Sequence, residues 1–284
     1  MALGLAWGLN LVFSRFGISQ FDPYVFIGLR LAIAMTIFAA IYLISPQRRW
    51  PRNPRLWGNA AVAGFFGIVV PFSGFIGALQ FQSAGLTSLL VTTGPILTVT
   101  VAHFLLPDAR LKRITLVGVL VALSGALLIV SRGESGLPDI TRANPIGYLM
   151  VFGALFSDTF TIIFIRKRMQ SEDTFDVTSI RLLVAALVIL PVALWRNPPD
   201  FSAITNMGWG ALLFTSVVST AVAQLLAFYI IRTYGSTSIA MVGYVVPLVA
   251  IVAGVLILGE TITLGMVVGM ILIVSGVLIV NRSK

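Results

Sequence analysis

The sequence predicts an all-α membrane protein with ten transmembrane helices, arranged as two inverted five-helix repeats with both termini in the cytoplasm. The composition, an internal repeat and the distribution of basic residues support this prediction. Of the 284 residues, 58% are hydrophobic and 10% are charged, and the mean hydropathy is +1.00. A water-soluble domain of this size needs a far more polar surface. The composition therefore indicates a chain surrounded by lipid.

Ten apolar stretches approach the length of about 20 residues that crosses the hydrocarbon core of a bilayer. They are expected to be helices, because open strands in lipid would leave backbone polar groups unpaired. The loops between them are short and leave no room for a separate soluble domain. The predicted spans are residues 2–16, 23–44, 57–80, 83–105, 113–130, 145–165, 177–195, 207–231, 236–258 and 262–280.

The second half of the chain repeats the first at a distance of 150–152 residues. Two like hydrophobic halves are typical of transporters whose site lies between them. We place the repeats at residues 1–141 and 142–284. The matched pairs are Pro95 with Pro247, Asp108 with Glu260, Trp57-Gly58 with Trp209-Gly210, Thr87-Ser88 with Thr237-Ser238, Gly118 with Gly269, and Ser124-Gly125 with Ser275-Gly276.

The basic residues predict the orientation of the chain. If the N-terminus is cytoplasmic, thirteen of the nineteen Lys and Arg residues lie on the inner side, three on the outer side and three within spans. Cytoplasmic loops carry an excess of Lys and Arg, so both termini are predicted to be cytoplasmic. Because each half has five spans, the second half enters the membrane in the opposite sense. The net charge of +9 thus reflects topology, and we expect no nucleic-acid partner.

Residue counts exclude several kinds of chemistry. The chain has no cysteine and one histidine, His103, so thiol catalysis is excluded and no metal site, cofactor or catalytic residue is predicted. No Gly-rich phosphate loop ending in Gly-Lys-Ser/Thr occurs. The expected partners are the lipid bilayer and a small-molecule substrate, with protons as a further candidate.

Asp158 is the acidic residue predicted to lie deepest in the membrane, 13 residues into the sixth span. An unpaired carboxylate there costs about 2.5–3.5 kcal/mol on insertion scales, so it should face a wet cavity, be protonated or meet a cation. We interpret Asp158 as a proton-coupling site or as a partner for a substrate ammonium group. The alternative is a structural hydrogen bond to a neighbouring helix.

Pro95 and Pro247 fall in the middle of the fourth and ninth spans, where each removes a backbone donor. Thr92 and Tyr244 put polar groups at the same depths. Helices interrupted at matching positions of two repeats point to the binding site of a transporter. The alternative is a packing kink without ligand contact, and a kink is expected in either case.

A polar stripe is predicted on the eighth span, where Ser216, Thr220 and Gln224 are spaced i, i+4, i+8. In membranes Ser and Thr more often mediate helix contacts, but a stripe ending in Gln favours a face that lines a cavity. The further cavity candidates are Trp7 and Asn10, which share a face of the first span, and Phe72 on the third.

Charged residues near the span ends are expected to be structural. Arg30 and Arg181 lie in the first two turns of their spans, from which a long basic side chain can extend to the interface. Arg15 either does the same or attracts an anionic group at the outer mouth. Asp108 and Glu260 are expected to cap the helix that follows each of them.

Several stretches, spread over the whole chain, resemble the drug/metabolite transporter superfamily, specifically its EamA-domain type. The resemblance implies ten helices, alternating access and export of small metabolites. Two departures are Pro107-Asp108, where the family usually has Gly-Glu, and Asp158, where relatives are expected to be neutral. The matching stretches are Trp7-Gly8-Leu9-Asn10 followed by Arg15, Leu29-Arg30-Leu31, Ile180-Arg181-Leu182, Gln80 to Ala84, and Val246-Pro247 through Leu258-Gly259-Glu260 to Gly269 and Ser275-Gly276.

The sequence therefore predicts a secondary transporter of the cell inner membrane and not an enzyme. Its expected substrates are amino acids or related polar or amphipathic metabolites, exported by alternating access. An uncoupled facilitator or a drug or toxicant efflux carrier of the same fold is the alternative. A membrane-embedded enzyme is a remote alternative, because such enzymes need clustered His, Asp, Ser or Cys groups at a membrane face.

Overall fold

The structure is a computed structural model that describes residues 2–105, 112–140, 142–196, 200–234 and 236–282. At 196, 228, 231–234, 236–241, 243, 244 and 282 only the backbone is described. This part of the chain contains helices and no strand, as predicted. By length and composition, eight helical stretches could cross a membrane, and two shorter apolar helices, Ala2–Ile18 and Val245–Leu258, accompany them.

The helix ends lie within three residues of the predicted span ends. Two π-helical segments, Phe65–Val69 and Phe214–Val222, interrupt the third and eighth predicted spans. The α-helices are Ala2–Ile18 (α1), Pro23–Ile44 (α2), Pro54–Gly64 (α3), Val70–Ala78 (α4), Ala84–Val91 (α5), Gly94–Leu105 (α6), Arg113–Arg132 (α7), Pro145–Arg168 (α8), Thr174–Arg196 (α9), Asn206–Leu213 (α10), Ala223–Tyr234 (α11), Ser236–Leu258 (α12) and Leu264–Arg282 (α13).

Three helices start at an Asx-Pro pair. The Asp22 carboxylate accepts hydrogen bonds from the backbone N–H groups of Tyr24 and Val25 at the start of α2. Asn53 and Asn144 cap α3 and α8 in the same way. Proline suits the next position, because the first N–H of a helix has no partner inside the helix.

The fourth span is broken, and the ninth is not. Thr92 and Thr93 separate α5 from α6, whereas α12 continues through Pro247. The prediction of matched interruptions is therefore wrong for the second half. In the first half the hydroxyls of Thr92 and Thr93 donate to Ser88 O and Leu90 O, which favours a turn over a continuing helix. The residue equivalent to Thr93, 152 positions later, is Val245, which has no hydroxyl to form such a bond.

Glycines allow two helix pairs to pack closely. At the α7–α13 contact, a Cβ added to Gly276 would lie 2.5 Å from the carbonyl oxygen of Gly118, and one added to Gly125 would lie 2.7 Å from that of Gly269. At the α1–α12 contact, a Cβ on Gly8 would lie 2.5 Å from Cβ of Val249. Small residues at membrane helix contacts have this role.

Candidate functional site

Arg30 is a buried cation between four elements of the fold. Its side chain is on α2 and the residue is 2% exposed. Its Nε donates to Thr220 Oγ1 at 2.7 Å and its Nη1 to Ser14 Oγ at 3.4 Å. The guanidinium carbon lies 4.7 Å from the centroid of the Phe72 ring. We call these four residues the Arg30 cluster.

The expectation that Arg30 extends to the interface is wrong. Its guanidinium finds hydroxyl acceptors on α1 and on the segment Phe214–Val222, and an aromatic face on α4. Because these partners satisfy donors inside the protein, the side chain stays buried. Sequence spacing could not show this, since Thr220 lies 190 residues from Arg30.

Arg181 on α9 forms a second, half-buried centre. Its Nε donates to Ala63 O at 3.2 Å, and its Nη2 donates to Gly67 O at 3.4 Å. Gly67 leaves room for this contact, because a Cβ there would lie 2.6 Å from Nη2. Asp158 on α8 interacts electrostatically with Arg181 without forming a direct ion pair. We call these four residues the Arg181 cluster.

The two clusters correspond to each other across the internal repeat. Arg30 and Arg181 are 151 residues apart. Arg30 contacts the π-helical segment Phe214–Val222, and Arg181 contacts the π-helical segment Phe65–Val69. Each arginine of one half therefore contacts the irregular helix of the other half. Single π-helical turns inside helices occur often at functional sites.

Asp158 is half-buried, and the residues on either side of it form polar contacts with neighbouring helical segments. The neighbouring Ser157 donates to Phe66 O at 2.5 Å, and Thr159 lies 3.3 Å from Thr98 through their hydroxyl oxygens. Arg181 interacts electrostatically with Asp158 without a direct ion pair, so the roles of Asp158 in proton coupling or substrate binding stay predictions.

The polar face of α1 continues from the Arg30 cluster. Trp7, Asn10 and Ser14 follow one another at spacings of three and four residues, so they share one face. Asn10 Oδ1 is buried and has no hydrogen-bond partner among the described residues. Trp7 is partly buried against Leu3 and its neighbours on α11 and α12. Ser14 was not among the predicted site residues, although its spacing from Asn10 could have indicated it.

The predicted stripe on the eighth span does not form as expected. Ser216 and Thr220 lie in the π-helical segment, where bonds run from i to i+5, so the i, i+4, i+8 spacing no longer defines one face. Both are buried; Ser216 donates to Leu212 O and Thr220 to Thr215 O, while Gln224 is half-buried. Ser219, in the same segment, donates to Ala6 O of α1 at 2.9 Å.

The remaining predicted residues are spread out. Pro95 is exposed in the first turn of α6, and Thr92 is half-buried in the break before it. Pro247 is buried inside α12. The side chain of Tyr244 lies outside the described part of the chain. The structure therefore brings Asn10, Phe72 and Thr220 to one region and does not bring Pro95 there.

Glu260 lies outside the helices, between α12 and α13, and forms a buried cluster with α5 and α1. Its carboxylate accepts from the backbone N–H groups of Ala84 at 2.6 Å and Gly85 at 3.0 Å, and it lies 3.4 Å from Arg15 Nε. Burial raises the pKa of Glu260, while these N–H groups and Arg15 oppose the shift. Glu260 caps α5 and not the helix that follows it, so that expectation is wrong. Asp108 lies outside the described residues.

A second charged cluster lies just after the C-terminal end of α2. Arg48 Nη1 is 2.8 Å from Asp173 Oδ1 and 3.7 Å from Asp176 Oδ1, and Tyr42 donates to Asp176 at 2.6 Å. The guanidinium carbon of Arg48 lies 4.5 Å from the ring centroid of Phe175. These contacts join the segment after α2 to the start of α9.

Comparisons with known proteins agree with this architecture. Residues 1–131 and 145–282 match the EamA-like transporter family. The chain is 25% identical over 269 residues to the uncharacterized transporter YoaV of Bacillus subtilis, covering 93% of this chain and 89% of the relative. It is 26% identical over 271 residues to a probable amino-acid metabolite efflux pump of Salmonella typhimurium, with 91% and 85% covered.

Two further comparisons concern location and fold. The uncharacterized inner membrane transporter YedA of Escherichia coli is 22% identical over 264 residues, with 92% of this chain and 82% of the relative covered. A solved crystal structure is similar with a TM-score of 0.67 at 18% identity, covering 99% of this chain and 95% of that one.

The chain belongs to the EamA-like transporter family, within the drug/metabolite transporter superfamily. It is a multi-pass protein of the inner membrane.

Proposed function

We propose that this protein is a secondary transporter that exports small metabolites, with amino acids as the principal substrates. The observation that carries the proposal is the reciprocal contact between halves, in which Arg30 and Arg181 each contact the π-helical segment of the opposite half. Charged groups buried in membrane helices mark substrate and ion pathways. The name of the Salmonella typhimurium relative, an amino-acid metabolite efflux pump, supports the substrate class.

The proposed architecture has ten spans in two inverted repeats, residues 1–141 and 142–284, with cytoplasmic termini. Three features support it: the 150–152-residue repeat, the two family matches at residues 1–131 and 145–282, and the bias of basic residues. The helix contacts support it as well. The pairs α7 with α13 and α2 with α9 join equivalent helices, and the pair α1 with α12 corresponds to α8 with α6.

Alternating access then needs contacts that close each end in turn. The Glu260 cluster includes Arg15 near the end of α1, which a short turn joins to the start of α2. Arg48 follows the end of α2, whose 22 residues span about 33 Å. Each cluster joins a residue of the first half to one of the second. We assign them as the closing contacts of the two mouths, with the arginine clusters between them.

The test is uptake of labelled amino acids and other metabolites into proteoliposomes, with and without a pH gradient. Wild type is compared with Asp158→Asn and with Asp139→Asn, a control at an exposed carboxylate. Saturable uptake that the gradient drives, and that only Asp158→Asn loses, is the expected result. Uptake that depends neither on the pH gradient nor on the Asp158→Asn substitution would indicate an uncoupled facilitator. Uptake of none of the solutes would contradict the proposed function.

A further inference from the structure

The two arginine clusters differ in charge. Arg181 has the carboxylate of Asp158 nearby, whereas the partners of Arg30 are two hydroxyls and a phenyl ring, all neutral. All ten acidic residues of the chain except Asp108 are described, and none of these nine forms an ion pair with Arg30. At equivalent positions, one half thus supplies a counter-ion and the other does not.

An uncompensated guanidinium buried in a membrane protein is unfavourable, because neutral partners stabilise the charge less than a carboxylate does. Its described hydrogen bonds use Nε and Nη1, so Nη2 has no described acceptor. A guanidinium binds a carboxylate best through two parallel N–H groups. Arg30 therefore has the charge and the free donor that an anionic group requires.

A second unsatisfied group lies on the same face of α1 as Ser14. Asn10 Oδ1 has no described donor, and Asn10 precedes Ser14 by one helical turn, about 6 Å of rise. Ser14 is itself bonded to Arg30. A buried carbonyl oxygen without a partner costs free energy, and a bound N–H or ammonium group would satisfy it. The unmet acceptor on α1 and the unmet donor on α2 are therefore linked through Ser14, which lies one turn from Asn10 and is hydrogen-bonded to Arg30.

We propose that Arg30 binds the carboxylate of the transported solute and that Asn10 Oδ1 accepts from its amino group, so that the site selects α-amino acids. The solute carboxylate supplies to Arg30 the negative charge that Asp158 supplies near Arg181. This inference rests on the proposed function for the transport step, but binding tests it independently. Arg30 is 2% exposed and Ser219 ties the π-helical segment to α1, so solute entry requires these elements to separate.

The probes are leucine, phenylalanine and threonine, each with its primary amide, with the amine that lacks the carboxyl group and with the acid that lacks the amino group. Purified protein is examined for thermal stabilisation by each compound and, in proteoliposomes, for counterflow. The variants are Arg30→Gln, Arg30→Lys and Asn10→Ala. Asp139→Asn serves as the control.

Wild type should prefer at least one amino acid over its amide by roughly tenfold or more in apparent affinity, as expected for a charge-assisted pair. Arg30→Gln should abolish this preference, and Arg30→Lys should keep part of it. Asn10→Ala should abolish the preference for the amino acid over the acid without an amino group. If Arg30→Gln fails to fold, Arg30→Lys tests the carboxylate site instead, through the size of its remaining preference for the amino acid over the amide.

Equal binding of acid and amide by wild type, or an unchanged preference in the Arg30 variants, would overturn the carboxylate site. If wild type binds amino acids with these preferences but transports none, the site stands and the proposed function fails. If it transports amides as well as acids, the function stands and the site fails.

Discussion

Glu260 accepts a hydrogen bond from the backbone N–H of Ala84 at 2.6 Å, across 176 residues of sequence. The first N–H groups of a helix have no partner within it, and the positive end of α5 favours a carboxylate. The same carboxylate lies 3.4 Å from Arg15 Nε. Glu260 thus ties the start of α5, the end of α1 and the turn before α13 together.

Replacing Glu260 with alanine should therefore destabilise the folded protein. Two charge-assisted hydrogen bonds and the partner of Arg15 are lost at a residue that is 6% exposed, which costs about 2 kcal/mol or more. The melting temperature of the purified protein, followed by tryptophan fluorescence, measures this. Glu260→Gln keeps one acceptor and should fall between wild type and Glu260→Ala. Equal melting temperatures for all three proteins would contradict the capping role.

Replacement by alanine should destabilise the folded protein at Gly276 but not at Gly153. A Cβ at Gly276 would lie 2.5 Å from Gly118 O and 2.6 Å from Ala122, whereas nothing lies within 4 Å of one at Gly153. Overpacking costs about 1–3 kcal/mol, while glycine to alanine in an open helix position gains up to about 1 kcal/mol.

The two glycine variants are compared with wild type by thermal unfolding in detergent. Gly276→Ala should melt lower than wild type, and Gly153→Ala should melt at the same temperature or higher. If the two variants have the same melting temperature, the α7–α13 contact is looser than the structure describes.

The helices were predictable because the length of an apolar stretch and its flanking residues determine where a membrane helix begins and ends. Asp22-Pro23, for example, marks the start of α2, and Asn144-Pro145 that of α8. The close glycine contacts were predictable for a similar reason, since Gly4-x-x-x-Gly8 permits a close approach wherever the partner helix lies.

The arrangement of the candidate site was not predictable from local pattern. In Phe214–Val222 each backbone hydrogen bond spans one residue more than in an α-helix. This change leaves the hydrophobicity of the span unchanged, so nothing in the sequence distinguished a π-helix from an α-helix. Arg30 looked like an interfacial residue because its acceptor Thr220 is distant in sequence. Glu260 capped α5 rather than the nearer α13 because tertiary packing, and not sequence distance, supplied the unpaired N–H groups.

The contact between Arg48 and Asp173 should depend on pH. Burial opposes ionisation of Asp173, but the hydrogen bond from Arg48 and the N–H of Asp176 outweigh it and lower its pKa below the usual 3.8. A carboxylate with a lowered pKa stabilises the fold above its unfolded-state pKa, and this contribution is lost as the pH falls through the folded-state value. Since Asp173 is exposed, the effect should stay below about 1 kcal/mol.

The measurement compares melting temperatures of wild type and Asp173→Asn from pH 6 to pH 3. The variant should melt lower at pH 6, and the gap should close below about pH 3.8 as wild-type Asp173 becomes protonated. Asp139→Asn should show no gap at any pH in this range. A gap for Asp173→Asn that is unchanged at pH 3 would mean that its charge plays no part.

Substitutions at Asp158 and Arg181 should have coupled effects on the free energy of unfolding. Substitutions at Asp158 and Arg30 should have independent effects. Removing Arg181 alone leaves the carboxylate of Asp158 without its cation, so Arg181→Gln should be strongly destabilising. Adding Asp158→Asn removes that unpaired charge, and the double variant should recover part of the loss, with a coupling energy of about 0.5–3 kcal/mol. Asp158 and Arg30 share no described partner. The changes in the free energy of unfolding caused by Asp158→Asn and Arg30→Gln should therefore be additive within about 0.5 kcal/mol. If the effects of Asp158→Asn and Arg181→Gln are also additive in the double variant, Asp158 is not the counter-ion of Arg181. The contrast in charge between the two arginine clusters would then disappear.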